Sequence, residues 1–403
     1  MLKNFQREYN INRIILSITG LWPFQNKYVK NSLLIFCILV EISSYPFEVF
    51  LLYDHWGDTK MVFDGCFQTV AVTSFIARIV HHIWHEDKLQ QLCIAIDKHW
   101  DMFTNDVENK IMRYYSTLAQ RFTMLIATLF YSILLLMIVV PLIPVLLDIV
   151  MPLNESRPRF FPVEVEFRVN KEDYFLPIHC YLTIVIAMGV NVALGFDTIH
   201  IVFSAHACSL FATVSKHMKN IIPKANNSCK IRKNKYYMNI ELDPLNEKKI
   251  YREYIICLKH HQLAIDFVNI LDSSFREYSL FILLLLLANI SLTGIRVLNV
   301  LDHMQELIKY TLVFLAMVSV LMIICYSGQK ILDESQNIFY QAYAAEWYKF
   351  SPRLKSLLMV TLHRSNKACG LKAGNIVPLS IPTYATVMRM AMSYFTAFLS
   401  LQD

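Results

Sequence analysis

The sequence predicts an all-α membrane protein with seven transmembrane helices, its N-terminus cytoplasmic and its C-terminus extracellular. Three observations predict it. The 403-residue chain is 55% hydrophobic with only 17% charged residues and a mean hydropathy of +0.38, too little charge for a soluble chain of this length. Its apolar residues fall into separate runs of about 20, the length a helix needs to cross the hydrocarbon core of a bilayer. Its Lys and Arg residues collect in alternate gaps between those runs. With the N-terminus inside, they favour the inner segments by roughly four to one, the bias that sets orientation in membranes.

The same composition excludes other classes. The formal charge of +6 is spread over inter-span gaps and is no nucleic-acid signal. Nine Cys without C-x-x-C pairs argue against a metal site or a disulfide framework. The His, Asp and Glu residues form no spaced catalytic set, so no enzyme, metal or cofactor is expected. Residues 1–30 lack an early apolar core and a cleavage site, so the first span is expected to serve as its own insertion signal.

Residues 1–30 are basic and cytoplasmic, with an amphipathic helix at the membrane interface that puts Trp22 at headgroup depth. Spans one to four occupy residues 31–211. The first runs from about 31 to 53 and the second from about 61 to 84. A carboxylate at mid-bilayer costs about 2.5–3.5 kcal/mol, so Glu41 must face protein or water, whereas Glu48, Asp64 and Arg78 are expected near span ends, snorkelling outward. The third span, about 122–147, ends at Pro141 and Pro144. The polar segment after it carries Asn154-Glu155-Ser156, a glycosylation acceptor if it lies outside. The fourth span starts near 176, and a helix continuing into the cytoplasm would account for Asp197, His200 and His206. Residues 212–275 form a basic cytoplasmic helical loop. His260 and His261 lie there without partners at metal spacing and read as surface or packing residues. Spans five and six fall within 276–328. Residues 329–375 form a second cytoplasmic region, and 376–403 carry the seventh span.

That last stretch organises the reading. From Ile381 to Leu401 it holds one charge, Arg389. Ser380 is placed to cap the helix, with Pro382 in its first turn. Ser393, Thr396, Ala397 and Ser400 fall at i, i+3, i+4 and i+7, one stripe of a helix. A small, weakly polar stripe supports two readings: close helix packing, the commoner one, or the wall of a wet pore.

PLSIPTYATVMRMAMSYFTAFLSL resembles the C-terminal signature of insect odorant receptors. LSITGLWP, from Leu16 to Pro23, resembles their N-terminal motif. Tyr343-Ala344-Ala345-Glu346-Trp347-Tyr348 is similar to the region that clamps subunits together below the membrane. The resemblance implies a ligand-selective subunit of an odorant-gated, non-selective cation channel, a heterotetramer with the family's co-receptor. It implies a multi-pass protein of the cell membrane in olfactory neuron dendrites, contacting lipid and a small hydrophobic odorant or pheromone, with no nucleic-acid partner. It puts Ala397 and Leu401 on the pore line with Ser400 and Ser393 beside them. It implies a ligand pocket near Phe67, Ala71, Tyr131, Leu135, Tyr181, Met188, Phe314 and Met317, and assembly contacts at Tyr343, Trp347 and Tyr348. Two seven-span alternatives fit less well. Gustatory receptors end in Thr-Tyr, five hydrophobics and Gln-Phe, whereas Ser393-Tyr394 here is followed by FTAFLSLQD. A G-protein-coupled receptor would reverse the charge bias and carry Asn-Pro-x-x-Tyr in its last span.

Overall fold

A computed structural model describes residues 2–151, 157, 159–227, 229–234, 237–242, 244–301, 304–344 and 347–400. The helices are α1 (Lys3–Ile18), α2 (Lys27–Ile42), α3 (Tyr45–Asp54), α4 (Thr59–Trp84), α5 (Glu86–Met102), α6 (Asp106–Val139), α7 (Ile143–Val150), α8 (Phe175–Asn227), α9 (Pro244–Asn299), α10 (Met304–Tyr343), α11 (Pro352–Ser365) and α12 (Ile381–Leu399). Two small antiparallel pairs interrupt the helical architecture. β1 (Cys229–Asn234) pairs with β2 (Tyr237–Leu242), and β3 (Lys372–Ala373) with β4 (Val377–Pro378).

Among the described residues, six helices are long and apolar enough to cross a membrane. The first is α2 and α3 together, broken at Ser43-Ser44 because Pro46 cannot donate into a continuing helix. The next is α4. Then α6 passes through a single 3-10 turn at Pro141 into α7. The remaining three, α8, α9 and α10, run 53, 56 and 40 residues without a break, far beyond the apolar stretch that each carries toward one of its ends. α8 lies at the middle of the bundle, 61% buried over its most apolar stretch, whereas α6 is 11% buried and turns Met124, Leu125 and Leu135 outward.

The extended halves of α8, α9 and α10 build one end of the molecule, with α1, α5 and α11 packed on it. Asp97 of α5 accepts from the backbone N–H groups of Asn4 and Phe5 at 2.8 and 3.0 Å, satisfying donors that the first turn of α1 leaves free. Tyr254 of α9 and Thr361 of α11 share a buried hydrogen bond of 3.0 Å. Trp22 is buried against Phe5, ring centroids 5.4 Å apart. It packs within the protein, because α1 folds onto α5, α6 and α8.

The charges expected at span ends are buried too. Glu48, Asp64 and Arg78 are each at most 4% exposed, and His200 and His206 lie in the core beside α9. Glu41 is fully buried, facing protein. Glu41, Glu48, Asp64 and Arg78 each turn toward protein, because lipid offers neither a hydrogen-bond partner nor a counter-charge.

α12 docks on α9 and α10. Ser380 caps it, its Oγ accepting from the Thr383 N–H at 3.4 Å. α10 meets the chain that leads into α12 at Gly328, where a Cβ would stand 2.3 Å from the Leu379 carbonyl oxygen. Gly328→Val must push α12 away and should destabilise the receptor by about 1–3 kcal/mol, the usual range for overpacking. The measurement is the thermal unfolding midpoint of purified protein. Gly57→Val, at a position with nothing within 4 Å, should leave it unchanged. An unshifted midpoint in Gly328→Val would mean the two segments do not meet there.

Candidate ligand cavity and terminal helix

A cavity of about 190 Å³ lies where α4, α6, α8, α9 and α10 meet. Its walls are apolar: Phe67, Ala71 and Phe75 from α4, Phe130 and Ile133 from α6, Val185 and Val190 from α8, Leu286 from α9, and Val313 and Met317 from α10. Val163, in the segment that follows α7, also lines it. Such a site, lined by aliphatic and aromatic side chains with a few placed polar groups, is the usual form of a small-molecule pocket.

The polar groups are Gln68, Ser74, Arg78, Asp197 and Asn289. Arg78 meets Asp197 with both arms of its guanidinium, Nη2 to Oδ2 at 3.1 Å and Nε to Oδ1 at 3.3 Å, and Nη1 donates to the Ser74 carbonyl at 3.0 Å. The pair is bidentate and neutral overall, so the cavity carries a dipole without net charge. Asn289 is buried, and its Oδ1 has no hydrogen-bond partner among the described residues. An unpaired buried acceptor is costly and gains most from a donor brought in by a ligand.

A second cavity, of about 400 Å³, shares Ile133 and Met137 with the first. It is more polar, with Glu164, Arg296, Glu306 and Lys309 on its walls. Arg296 pairs with Asp64 at 2.7 Å, and the Tyr310 hydroxyl donates to the same carboxylate at 2.9 Å. A polar chamber thus adjoins an apolar one across two shared side chains.

Of the residues expected around a ligand, Phe67, Ala71 and Met317 line the inner cavity. Tyr131 donates to Asn191 Oδ1 at 2.8 Å on the outer side of α6, and Leu135 is exposed. Tyr181 packs on Phe47 and Phe167, with its hydroxyl 2.8 Å from Ser43 Oγ. Met188 lies in the core, and Phe314 faces α12. Sequence reasoning missed Gln68, Arg78, Asp197 and Asn289. The signal was present for two of them, as opposite charges in two separate apolar runs.

On α12, Thr383, Val387 and Ala391 are buried at i, i+4 and i+8, and Phe395 packs over Gly294 and Phe314. Ser393, Thr396, Ala397 and Ser400 are exposed, and so is Arg389, one turn before Ser393. The small stripe is therefore not a packing surface within this chain. Leu401 lies outside the described residues, as does Asn154. Tyr343, Trp347 and Tyr348 are at least half exposed, an unusual concentration of large aromatic surface.

The chain matches the family model described as 7tm Odorant receptor over residues 58–392. It is 25% identical to Odorant receptor 33b of Drosophila melanogaster over 39% of this chain and 42% of that protein. It is 23% identical to Odorant receptor 63a of the same fly over 62% of this chain and 54% of that protein. These matches span about half the length of the curated relatives or less. Its fold is that of the insect olfactory receptor OR5 from Machilis hrabei, solved in complex with eugenol, with a TM-score of 0.76, 12% identity and 99% of each chain covered. The chain belongs to the odorant receptor family, a family of multi-pass membrane receptors and not of enzymes.

Proposed function

We propose that this chain is the ligand-selective subunit of an odorant-gated, non-selective cation channel. It acts as a heterotetramer with a co-receptor subunit in the dendritic membrane of olfactory neurons, its N-terminus cytoplasmic and its C-terminus extracellular. The observation that carries the reading is the apolar cavity at the junction of five helices. A ligand there is small and mostly hydrophobic, a class that includes odorants and pheromones. Asn289 favours one that also carries a hydroxyl or another hydrogen-bond donor. The solved relative in complex with eugenol supports a small-molecule ligand of this kind. Asn154, outside under this topology, is the glycosylation acceptor.

The exposed stripe of α12 supports the channel half of the proposal. Its small and hydroxylated residues suit a water-filled path better than contact with lipid, and Ala397, Ser400 and Leu401 are assigned to its wall. Arg389 on the same face has the same need, because an arginine within the span is costly unless it meets water or a counter-charge. The exposed aromatic residues Tyr343, Trp347 and Tyr348 suit a subunit contact, where Trp and Tyr are the residue types that carry most binding energy.

Three measurements test this reading. Ala71→Trp fills the cavity and should raise the half-maximal concentration of an activating volatile by about tenfold or more, a loss of roughly 1.4 kcal/mol of binding. Surface expression should be unchanged, and an unshifted response would place the ligand elsewhere. Cysteines at 393, 397 and 400 should be modified by an external thiol reagent during odorant-evoked current and block it, whereas cysteines at 391 and 395 should not. Equal modification at all five positions would remove α12 from the pore. Trp347→Ala should reduce co-purification with the co-receptor by at least about tenfold, the scale of an interface hot spot. Undiminished co-purification would rule Trp347 out as an anchor.

A further inference from the structure

At the end of the bundle where α5 packs, three metal-capable side chains from three helices converge. Glu108 stands in the first turn of α6, His217 in the last third of α8 and His260 in the first third of α9. His217 Nε2 lies 2.6 Å from Glu108 Oε1. One ligand atom from each of the three residues lies within 4.8 Å of the other two. The His260 ring stands edge-on to that of His217, centroids 5.9 Å apart. His260 Nδ1 is buried and has no hydrogen-bond partner among the described residues. Glu108 is buried, and the two histidines are half-buried.

We propose that Glu108, His217 and His260 form a binding site for a zinc ion that ties α6, α8 and α9 together. The chemistry of the donors selects the metal. Two imidazoles and one carboxylate suit a borderline divalent ion, whereas magnesium and calcium prefer all-oxygen shells. This donor set is that of open zinc sites, which hold three protein ligands and leave a fourth position for water or another ligand. Tetrahedral zinc with bonds of about 2.0–2.1 Å sets its ligand atoms about 3.4 Å apart. The 2.6 Å Glu108–His217 pair would therefore open slightly and His260 would close in, both within reach of side-chain rotation. A simple His–Glu ion pair accounts for Glu108 and His217 but not for the third ligand atom that His260 brings beside them. The site shares no residue with the cavity or with α12, so it stands independently of the odorant reading. A metal bound there restrains α9, which also carries α12.

The test is zinc titration of the purified full-length chain in detergent, in competition with a chromogenic zinc indicator. The expected result is one zinc ion per chain with a dissociation constant in the micromolar range or below, undisturbed by millimolar magnesium. His217→Ala and His260→Ala should each weaken binding by about tenfold or more, and His363→Ala, at an exposed position on α11, should not. His260→Cys keeps a zinc-ligating atom and should retain affinity within about threefold. That retention separates ligation from a general loss of structure. Zinc should also raise the unfolding midpoint of the wild type and of His260→Cys, and leave that of His217→Ala unmoved. Absence of saturable zinc binding by the wild type would overturn the site. So would equal affinities in the wild type, His217→Ala and His260→Ala.

Discussion

The constraint on which this bundle depends is that charge inside an apolar span must be met by protein. Arg78 and Asp197 are 119 residues apart in sequence and meet as a bidentate pair. Asp64 gathers Arg296 and Tyr310 from α9 and α10. Each set joins helices far apart in sequence, and so helps to fix how they are rotated. Removing one partner from a buried pair of this kind costs about 3–5 kcal/mol, because the remaining charge is stranded. The favourable side of each pair is smaller, which is why such pairs specify an arrangement better than they strengthen it.

The inner cavity follows from the same arrangement. Helices held by Arg78 and Asp197 cannot close completely above the pair, where Ala71 leaves space and Phe67, Phe75 and Phe130 are too stiff to fill it. The outcome is a space bounded by a dipole and otherwise apolar. Under the proposed function, the aliphatic side chains set which ligand fits while the ion pair keeps the walls in place.

The all-helical fold with its long apolar helices and the cap at Ser380 were legible because hydropathy and helix signals are local. The direction in which a side chain faces was not. Glu48, Asp64 and Arg78 read as span-end residues because hydropathy measures depth and says nothing about which side of a helix looks inward. The burial of Trp22 in protein was not legible because it depends on α1 folding against α5, a contact between residues some 90 positions apart. Tyr131 and Leu135 share the apolar chemistry of true cavity residues such as Ile133 and Met137, and differ from them only in rotation about α6. The convergence of His260 with Glu108 and His217 was not legible either: its neighbours come from α6 and α8, so no spacing along α9 could reveal them. That α8 continues past its span was legible from Asp197, His200 and His206, but the full unbroken length of α8, α9 and α10 was not, because helices that leave a bilayer need no apolar signal to continue.

The helices that wall the cavity also carry α12, and under the proposed function this is how ligand binding reaches the conduction path. Leu286 and Asn289 of α9 and Met317 of α10 face the cavity. Within about a turn of them, Ile290 and Gly294 of α9 and Phe314 of α10 face α12. The Thr293 hydroxyl lies 3.9 Å from Met317 Sδ and links the two helices between these surfaces. A ligand that displaces Met317 or bonds Asn289 therefore acts on helices whose other sides hold Ala391 and Phe395. A cavity of about 360 Å³ lies between these surfaces and α12, so a displacement crosses only where side chains bridge it. Phe395 over Gly294 is the closest link in that path. A glycine there lets the ring sit against the α9 backbone, so a shift of α9 passes directly to α12 and to the orientation of its exposed stripe.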